Sequence, residues 1–321
     1  MTVSISGSLG VIFPDSSLQT GAASPYVNKN RLVNGSFAVD QRNAGASQTF
    51  TAAAAVAYTV DRWYGSCTGA NITGQRVAGT SPNQYAYRFT GAASNTGTLF
   101  GQRIESFNTY DLISTTITGS VTLKSSSITS VTWTAYYANS SDTFSSKTSI
   151  ATGTLTINST ATRYSFSFDA GANAGNGIAI EFTTGALTAT NTLQYENAQL
   201  EIGTSATPFE RRLYNQELAN CQRYYELLVG GSFIGRATNA TTIEGSSIFC
   251  VTKRASPTMT FVNGTSTLLE LSIAIRSFTS ISGTTNINGA YMVLAGSSGL
   301  TSPNLCIFYN NNAIVSMSAE L

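Results

Sequence analysis

Apolar and polar side chains alternate with a period of two along most of this chain. Val131–Tyr136 (VTWTAY) and Tyr164–Phe168 (YSFSF) are clear examples. Because successive side chains of a strand point to opposite faces, this alternation predicts strands with one face in a core and the other in water. Such runs recur about every 8–15 residues, separated by Gly- and Asn-rich turns, which is typical of antiparallel sandwiches rather than of βαβ units. The sequence therefore predicts an all-β protein.

One segment departs from this pattern, because Thr207–Leu228 concentrates charged residues and good helix formers. The Thr207-Pro208 pair with Glu210 fits a capping-box start, a start near Leu213 is the alternative, and Gly230-Gly231 can end the helix. Steps of four and three place one apolar stripe along it, which we expect either to pack on a neighbouring sheet or to assist self-association at an oligomer interface. The stripe consists of Tyr214, Leu218, Cys221, Tyr225 and Leu228.

These patterns divide the chain into four parts. We predict an N-terminal extended arm at 1–29, a jelly-roll β-sandwich at 30–206, a short connecting helix at 207–229 and a second, smaller β-sandwich at 230–321. The 321 residues are enough to bury two separate cores.

Charge and composition exclude several functions. The chain has 17 Lys and Arg against 16 Asp and Glu and contains no histidine. A net charge of +1 gives no basic surface for nucleic acid. The absence of histidine removes the commonest general base and every Ser–His or Cys–His nucleophile. No apolar run is long enough to cross a bilayer, and the start lacks the pattern of a signal peptide, so we expect no membrane insertion.

The cysteines and carboxylates suggest no catalytic or metal centre. Cys67, Cys221, Cys250 and Cys306 lack metal-ligand spacing, so buried thiols are expected, with a Cys250–Cys306 disulfide as the alternative. A glycosidase would need two carboxylates about 5–10 Å apart, and no spacing marks such a pair. The sequence predicts no enzymatic activity, no cofactor and no metal. The carboxylates available for such a pair are Glu105, Asp111, Asp169 and Glu181.

Several motifs carry a resemblance to a known family. Ser4–Thr20 (SISGSLGVIFPDSSLQT) resembles the "GI-FPD-TxQT" stretch near the start of many tailed-phage tail-fibre proteins. Asn30–Arg42, Tyr58–Trp63 and Gln199–Glu210 resemble the opening and closing strands of carbohydrate-binding-module-like jelly rolls in phage structural proteins. Cys221–Tyr225 and Ser318–Leu321 are similar to the ends of such fibre proteins.

The resemblance implies a homotrimeric component of a virion surface. Its arm would attach to other virion proteins, and its β domains would face the host. The implied function is that of a tail fibre or receptor-binding protein that recognises host surface glycans. A capsid decoration or cement protein is the alternative, and a polysaccharide depolymerase is a third reading. The attachment residues would be Ile12, Phe13, Pro14 and Asp15.

Aromatic side chains are the candidate ligand-binding residues, because their faces stack on sugar rings. Core packing is the alternative for Trp133 and the expectation for Trp63. The candidates are Trp133, Tyr136, Tyr137, Tyr85, Tyr87 and Tyr110.

Two further polar groups are considered. Asp61 and Arg62 are expected to form a buried ion pair that fixes local structure. Glu196 and Glu201, with Asn34 or Asp40, have the oxygen ligands that a structural calcium would need where the first and last strands of a jelly roll meet.

Overall fold

The computed structural model describes most of the chain and is almost entirely β. Side chains are described for residues 28–262, 275–308 and 315–321, and the main chain also for 4–6, 10–12, 18–19, 266–270 and 274. Within the segment predicted as an extended arm, three short strands pair antiparallel, numbered here in chain order: β1 (Ser4–Ser6), β2 (Gly10–Ile12) and β3 (Leu18–Gln19).

The first sandwich consists of two six-stranded antiparallel sheets. One sheet has the order β13 (Thr162–Asp169), β10 (Thr116–Ser125), β15 (Thr192–Ile202), β8 (Tyr85–Thr90), β7 (Ile72–Ala78) and β4 (Gln48–Phe50). The other has the order β12 (Lys147–Thr156), β11 (Ser130–Ala138), β14 (Ile178–Thr184), β9 (Gly97–Ile104), β6 (Trp63–Thr68) and β5 (Ala57–Tyr58). The predicted jelly-roll sandwich is thereby confirmed.

Aromatic rings fill the space between these two sheets. Trp63 stacks on Phe100 with ring centroids 4.8 Å apart, and Tyr87 stacks on the same Phe100 at 4.9 Å. Because Phe100 lies in β9 and Tyr87 in β8, this contact joins the two sheets. Trp63 is fully buried, so its predicted role in the core is confirmed.

The second sandwich is smaller and consists of a three-stranded and a seven-stranded sheet. The first has the order β16 (Tyr225–Leu228), β25 (Val315–Ser318) and β19 (Thr258–Phe261). The second has the order β21 (Ala274–Phe278), β20 (Ser266–Glu270), β24 (Leu305–Phe308), β17 (Ile234–Ala237), β18 (Thr242–Ile248), β23 (Gly289–Ala295) and β22 (Ser280–Thr285). Its core contains few rings, with Phe233 stacked on Phe308 at 4.8 Å and Met292, Leu294 and Met317 around them.

The connecting helix is shorter than predicted. Helix α1 covers Tyr214–Gln222, close to the alternative start at Leu213, and the prediction of a helix over 207–229 is wrong. Upstream, the Thr207 hydroxyl donates to Glu201 instead of capping a helix, because this segment follows the first sandwich. Downstream, β16 pairs with β25, so strand pairing overrides local helix propensity.

The heptad stripe therefore does not lie on one helical face. Cys221 is buried at the end of α1, whereas Tyr225 and Leu228 are buried in β16. These three side chains pack inside the chain and are not available to another copy, which corrects the predicted oligomer interface. Tyr214 is exposed and Leu218 is half-buried on α1.

A cluster of arginines joins the two sandwiches, and we call it the clasp. It consists of Arg42, Arg62 and Arg103 from the first sandwich with Glu320 and Leu321, which follow β25. The Glu320 carboxylate accepts hydrogen bonds from Arg42, at 2.9 Å, and from Arg62. Arg103 donates a hydrogen bond to the main-chain oxygen of Leu321. The side chains of Arg62 and Glu320 are 1% and 6% exposed, so this ion pair is almost fully desolvated.

Asp61 lies beside the clasp but does not pair with Arg62, contrary to prediction. Arg62 has a left-handed main chain, with φ of 72°, and faces Glu320. Asp61 instead accepts hydrogen bonds from the main-chain and side-chain nitrogens of Gln41, both at 3.1 Å, and its buried Oδ1 has no hydrogen-bond partner among the described residues. Burial raises the pKa of Asp61 to about 7, against the opposing effects of Arg42 and of the Gln41 hydrogen bonds.

Two other expectations concern the cysteines and membranes. Cys67, Cys221 and Cys306 are buried thiols and Cys250 is an exposed one, so the alternative of a Cys250–Cys306 disulfide is wrong. Among the described residues, no helix combines the length and the apolar character that crossing a bilayer requires.

Candidate functional site: a polar cleft beside the helix

A cleft of about 230 Å³ opens where the first sandwich meets α1. Three parts of the chain line it: the segment that enters the first sandwich, a 3₁₀ helix at Ser106–Asn108, and the residues before and on α1. Its volume is below the roughly 300–1,000 Å³ of sites for drug-sized ligands, so it suits a group about the size of one sugar ring. The lining residues are Asn28, Asn30, Arg31, Val33, Asn108, Arg212, Gln216 and Asn220.

The entry segment is held rigidly against the closing strand of the sandwich. The Asn30 side-chain oxygen accepts from the main-chain nitrogens of Leu32 and Leu200, both at 3.0 Å, and its amide donates to the Ala198 oxygen at 3.1 Å. Glu210 accepts from the main-chain nitrogen of Asn30 at 2.9 Å. One wall of the cleft is therefore fixed before any ligand arrives, which lowers the entropic cost of binding.

Helix α1 is fastened to the same segment. Arg212 donates to the main-chain oxygens of Asn30 and Leu32, and Gln216 donates to the Asn28 side-chain oxygen at 2.8 Å. These contacts join positions about 180 residues apart in sequence, so the cleft exists only in the folded chain.

Some polar groups of the cleft remain available to a ligand. The Asn108 amide donates to Glu105 at 3.0 Å, while its carbonyl oxygen accepts no hydrogen bond from the residues that the structure describes. The Asn220 side chain likewise makes no hydrogen bond within the described ranges. An amide offers both a donor and an acceptor, which is the combination that a sugar hydroxyl needs.

Each arginine of the cleft already faces carboxylates. Arg31 donates to Asp111 at 2.5 Å. Arg212 lies 3.7 Å from Glu210 and 3.5 Å from Glu217. The two positive charges are thus matched by three negative ones, and the described residues of the cleft carry no unbalanced positive charge.

Three exposed aromatic residues lie close to lining residues of the cleft in the sequence. Phe107 is 83% exposed and precedes Asn108, Tyr110 is 74% exposed and follows it by two residues, and Tyr214 is 57% exposed at the start of α1. The Tyr110 ring lies against the 3₁₀ helix at Ala174–Asn176. A Cβ atom built on Gly175 of this helix would be 3.5 Å from the ring. Large rings left this open to solvent are candidates for stacking on a ligand.

The structure separates the predicted ligand-binding aromatics. Tyr110 is exposed and does not line the cleft, although it follows the lining residue Asn108 by two positions. Trp133 is buried and stacks on Phe166 at 4.2 Å, so the core alternative holds for it. Tyr87 is also buried and accepts a hydrogen bond from Thr59 at 2.6 Å, so its ring is not open to a ligand as the predicted binding role requires. Both side chains alternate inward on their strands.

The other predicted aromatics are half-buried and do not line the cleft. The Arg76 guanidinium lies 4.5 Å from the centre of the Tyr85 ring, and the Lys147 ammonium lies 4.1 Å from that of Tyr136. Tyr137 follows on the same strand, β11. Of the predicted attachment residues, Ile12 lies in β2, whereas Phe13, Pro14 and Asp15 lie outside the described residues.

The suggested calcium ligands are occupied by protein donors. Glu196 accepts from Thr80 and Asn83, and Glu201 accepts from Thr207. Asp40 accepts from main-chain nitrogens of Asn43 and Gly45. The Asn34 oxygen accepts from Val39 N, and no metal-binding group of three His, Cys, Asp or Glu occurs in the part of the chain that the structure describes.

Sequence reasoning did not single out most of the cleft. One signal was present: Glu105–Asp111 (ESFNTYD) breaks the alternation of strands and carries two aromatic residues beside an asparagine. The remaining residues, Asn28, Gln216 and Asn220, carry no local signal, because only the fold brings them together.

No family model and no curated protein matches the chain. Among solved structures, the chain is similar to TmCBM61 in complex with β-1,4-galactotriose, with 12% identity, a TM-score of 0.35 and coverage of 54% of this chain and 99% of that one. The family 22 carbohydrate binding module of Clostridium thermocellum Xyn10B has 11% identity, a TM-score of 0.33, and coverage of 57% and 99%. The tailspike protein 4 domain of bacteriophage CBA120 has 12% identity, a TM-score of 0.34, and coverage of 55% and 22%. With TM-scores below 0.5, none of these similarities assigns a function.

Proposed function

We propose that this chain is a surface protein of a tailed-phage virion, a tail fibre or receptor-binding protein that binds host surface glycans. The cleft carries the proposal, because it offers preformed amides and exposed aromatic residues lie close to them in the sequence, and amides and aromatic rings are groups that recognise sugars. The motifs that resemble tail-fibre proteins support the virion location.

Binding in this proposal uses two kinds of contact. Sugar hydroxyls exchange hydrogen bonds with the amides of Asn108, Gln216 and Asn220, and the CH face of a ring packs on Tyr110 or Phe107. One small, open cleft gives weak affinity. A homotrimer presents three clefts to one glycan surface, and avidity then raises the overall affinity without new contacts.

The proposal is one of binding without catalysis. Glu105 is buried and pairs with Arg223 at 2.9 Å, and Glu181 is buried and pairs with Lys147. Asp169 accepts from the main-chain nitrogen of Gly171 at 2.8 Å, and Asp111 pairs with Arg31. Each of these candidate acids therefore already has a local partner.

Immunogold electron microscopy of intact virions, with an antibody against residues 230–321, tests the location. We expect label on the tail only, and purified full-length protein in excess should then reduce phage adsorption to host cells. Label spread over the head would contradict the proposal and favour the capsid decoration alternative. Light scattering tests the trimer, for which a monomeric mass of the full chain is the contrary result.

A further inference from the structure

The charges around the cleft indicate which glycans it takes. We infer that the cleft binds an uncharged sugar ring and discriminates against sugars that carry a carboxylate. This inference rests on the proposed function and names the ligand class of the same site.

The first step is that both arginines of the cleft already face carboxylates, so an anion would share each guanidinium group with a negative charge. Arg31 is held by Asp111 at 2.5 Å. Arg212 is engaged by two main-chain oxygens, those of Asn30 and Leu32, and also faces Glu210 and Glu217. An acidic sugar would therefore approach guanidinium groups whose charge carboxylates already neutralise.

The second step is the local charge. The two guanidinium groups face three carboxylates, which are those of Asp111, Glu210 and Glu217. A sugar carboxylate would add a fourth negative charge and would lose part of its hydration on entering the cleft. The excess of negative charge therefore lowers the affinity of the cleft for acidic sugars.

The third step is that the groups left over are neutral. Asn220 and the Asn108 carbonyl have hydrogen-bonding capacity that the described residues do not use, and Val33 adds an apolar surface. Amides pair well with hydroxyls, which both donate and accept. The free part of the cleft thus complements a neutral, hydroxyl-bearing ring.

Matched polysaccharides test the inference on the full-length protein. Polygalacturonate, alginate and hyaluronate are compared by biolayer interferometry at 50 and 500 mM NaCl with their carboxyl-reduced forms, in which an uncharged hydroxymethyl group replaces each carboxylate. We expect binding to at least one reduced polymer, at least tenfold weaker binding to its acidic parent, and less than a twofold change with salt.

Two asparagines of α1 provide a variant and its control. Asn220 lines the cleft, whereas Asn215 is exposed on the same helix and does not. Asn220→Ala should weaken binding about three- to tenfold through the loss of a sugar hydrogen bond, and Asn215→Ala should leave it unchanged.

The outcomes separate the inference from the proposed function. Tighter binding of the acidic forms, with affinity that falls steeply with salt, would overturn the inference and leave glycan binding intact. Neutral binding that Asn220→Ala does not affect would place the site elsewhere and overturn the assignment of the cleft. Binding of no polymer in either set would contradict the proposed function, and the inference would fail with it.

Discussion

The Arg62–Glu320 pair of the clasp and the Arg31–Asp111 pair of the cleft differ in burial, although the Arg212–Glu217 contact of the cleft is buried as well. In the clasp, Glu320 is 6% exposed and lies between Arg42 and Arg62. In the cleft, Asp111 is 54% exposed and pairs with Arg31. The same pair of residue types therefore joins two domains in one place and adjusts the charge of an open surface in the other.

Aromatic rings show the same contrast. The guanidinium groups of Arg42 and Arg62 lie 3.6 Å from the ring centres of Tyr225 and Tyr224, so these rings cover buried charges inside the molecule. In the segment that contributes Asn108 to the cleft, Tyr110 and Phe107 remain open to solvent. The exposed rings and the exposed Arg31–Asp111 pair are groups that a ligand can reach, whereas the buried rings and ion pairs stabilise the fold.

Removing the carboxylate of the clasp should have the largest effect. Glu320→Ala leaves the buried guanidinium of Arg62 without its ion-pair partner, and we expect the free energy of unfolding to fall by about 3–5 kcal/mol. Urea denaturation followed by fluorescence measures this change. Glu320→Gln, which keeps a side-chain oxygen for the guanidinium groups, should lose less. A loss below about 1 kcal/mol for Glu320→Ala would show that the clasp behaves like an exposed pair.

Asp61 gives the clasp region a pH dependence. The pKa of Asp61 is about 7 in the folded chain and 3.8 ordinarily. Between pH 3.8 and 7, this carboxyl group is therefore protonated in the folded state and ionised in the unfolded state. Stability should therefore fall as pH rises from 4 to 7, by up to about 4 kcal/mol. Asp61→Asn has no such titration, and its stability at pH 7 should exceed that of the native chain.

Urea midpoints at pH 4.5, 5.5, 6.5 and 7.0 measure this effect as the difference between the two proteins. Titrating groups far from Asp61 contribute equally to both proteins and cancel in the comparison. Parallel stability profiles for the native chain and Asp61→Asn would contradict a raised pKa at this site.

The sequence predicts the sandwiches better than it predicts either polar cluster. Alternation in Val131–Tyr136 predicts β11 because strand periodicity is a local property. The ends of α1 are not local: Thr207 bonds to Glu201, and β16 pairs with β25 from the far end of the chain. The cleft and the clasp depend on contacts between positions about 180 and 260 residues apart, which no single stretch of sequence encodes.

Replacing an exposed aromatic residue tests whether the exposed rings contribute to glycan binding. Tyr110→Ala removes a stacking surface, and we expect glycan affinity to fall about two- to tenfold, since such contacts contribute about 0.5–1.5 kcal/mol. Thermal stability should hardly change, because the ring is 74% exposed. Tyr291→Ala, at another exposed tyrosine on the second sandwich, is the matched control. Equal loss of binding in both variants would place glycan recognition outside the cleft.

The smallest effect on stability, and the sharpest on specificity, is expected from Asp111→Ala. Because the Arg31–Asp111 pair is exposed, its loss should lower the free energy of unfolding by less than about 1 kcal/mol, in contrast to Glu320→Ala.

Asp111→Ala also removes the ion-pair partner of Arg31 in the wall of the cleft. The local charges then change from three negative and two positive to two negative and two positive. Binding of polygalacturonate should therefore increase, with an affinity that now falls with salt, while binding of the reduced polymer changes little. If the acidic polymer is still rejected, Asp111 does not set the preference for neutral sugars, and the discrimination comes from Glu210 and Glu217 alone.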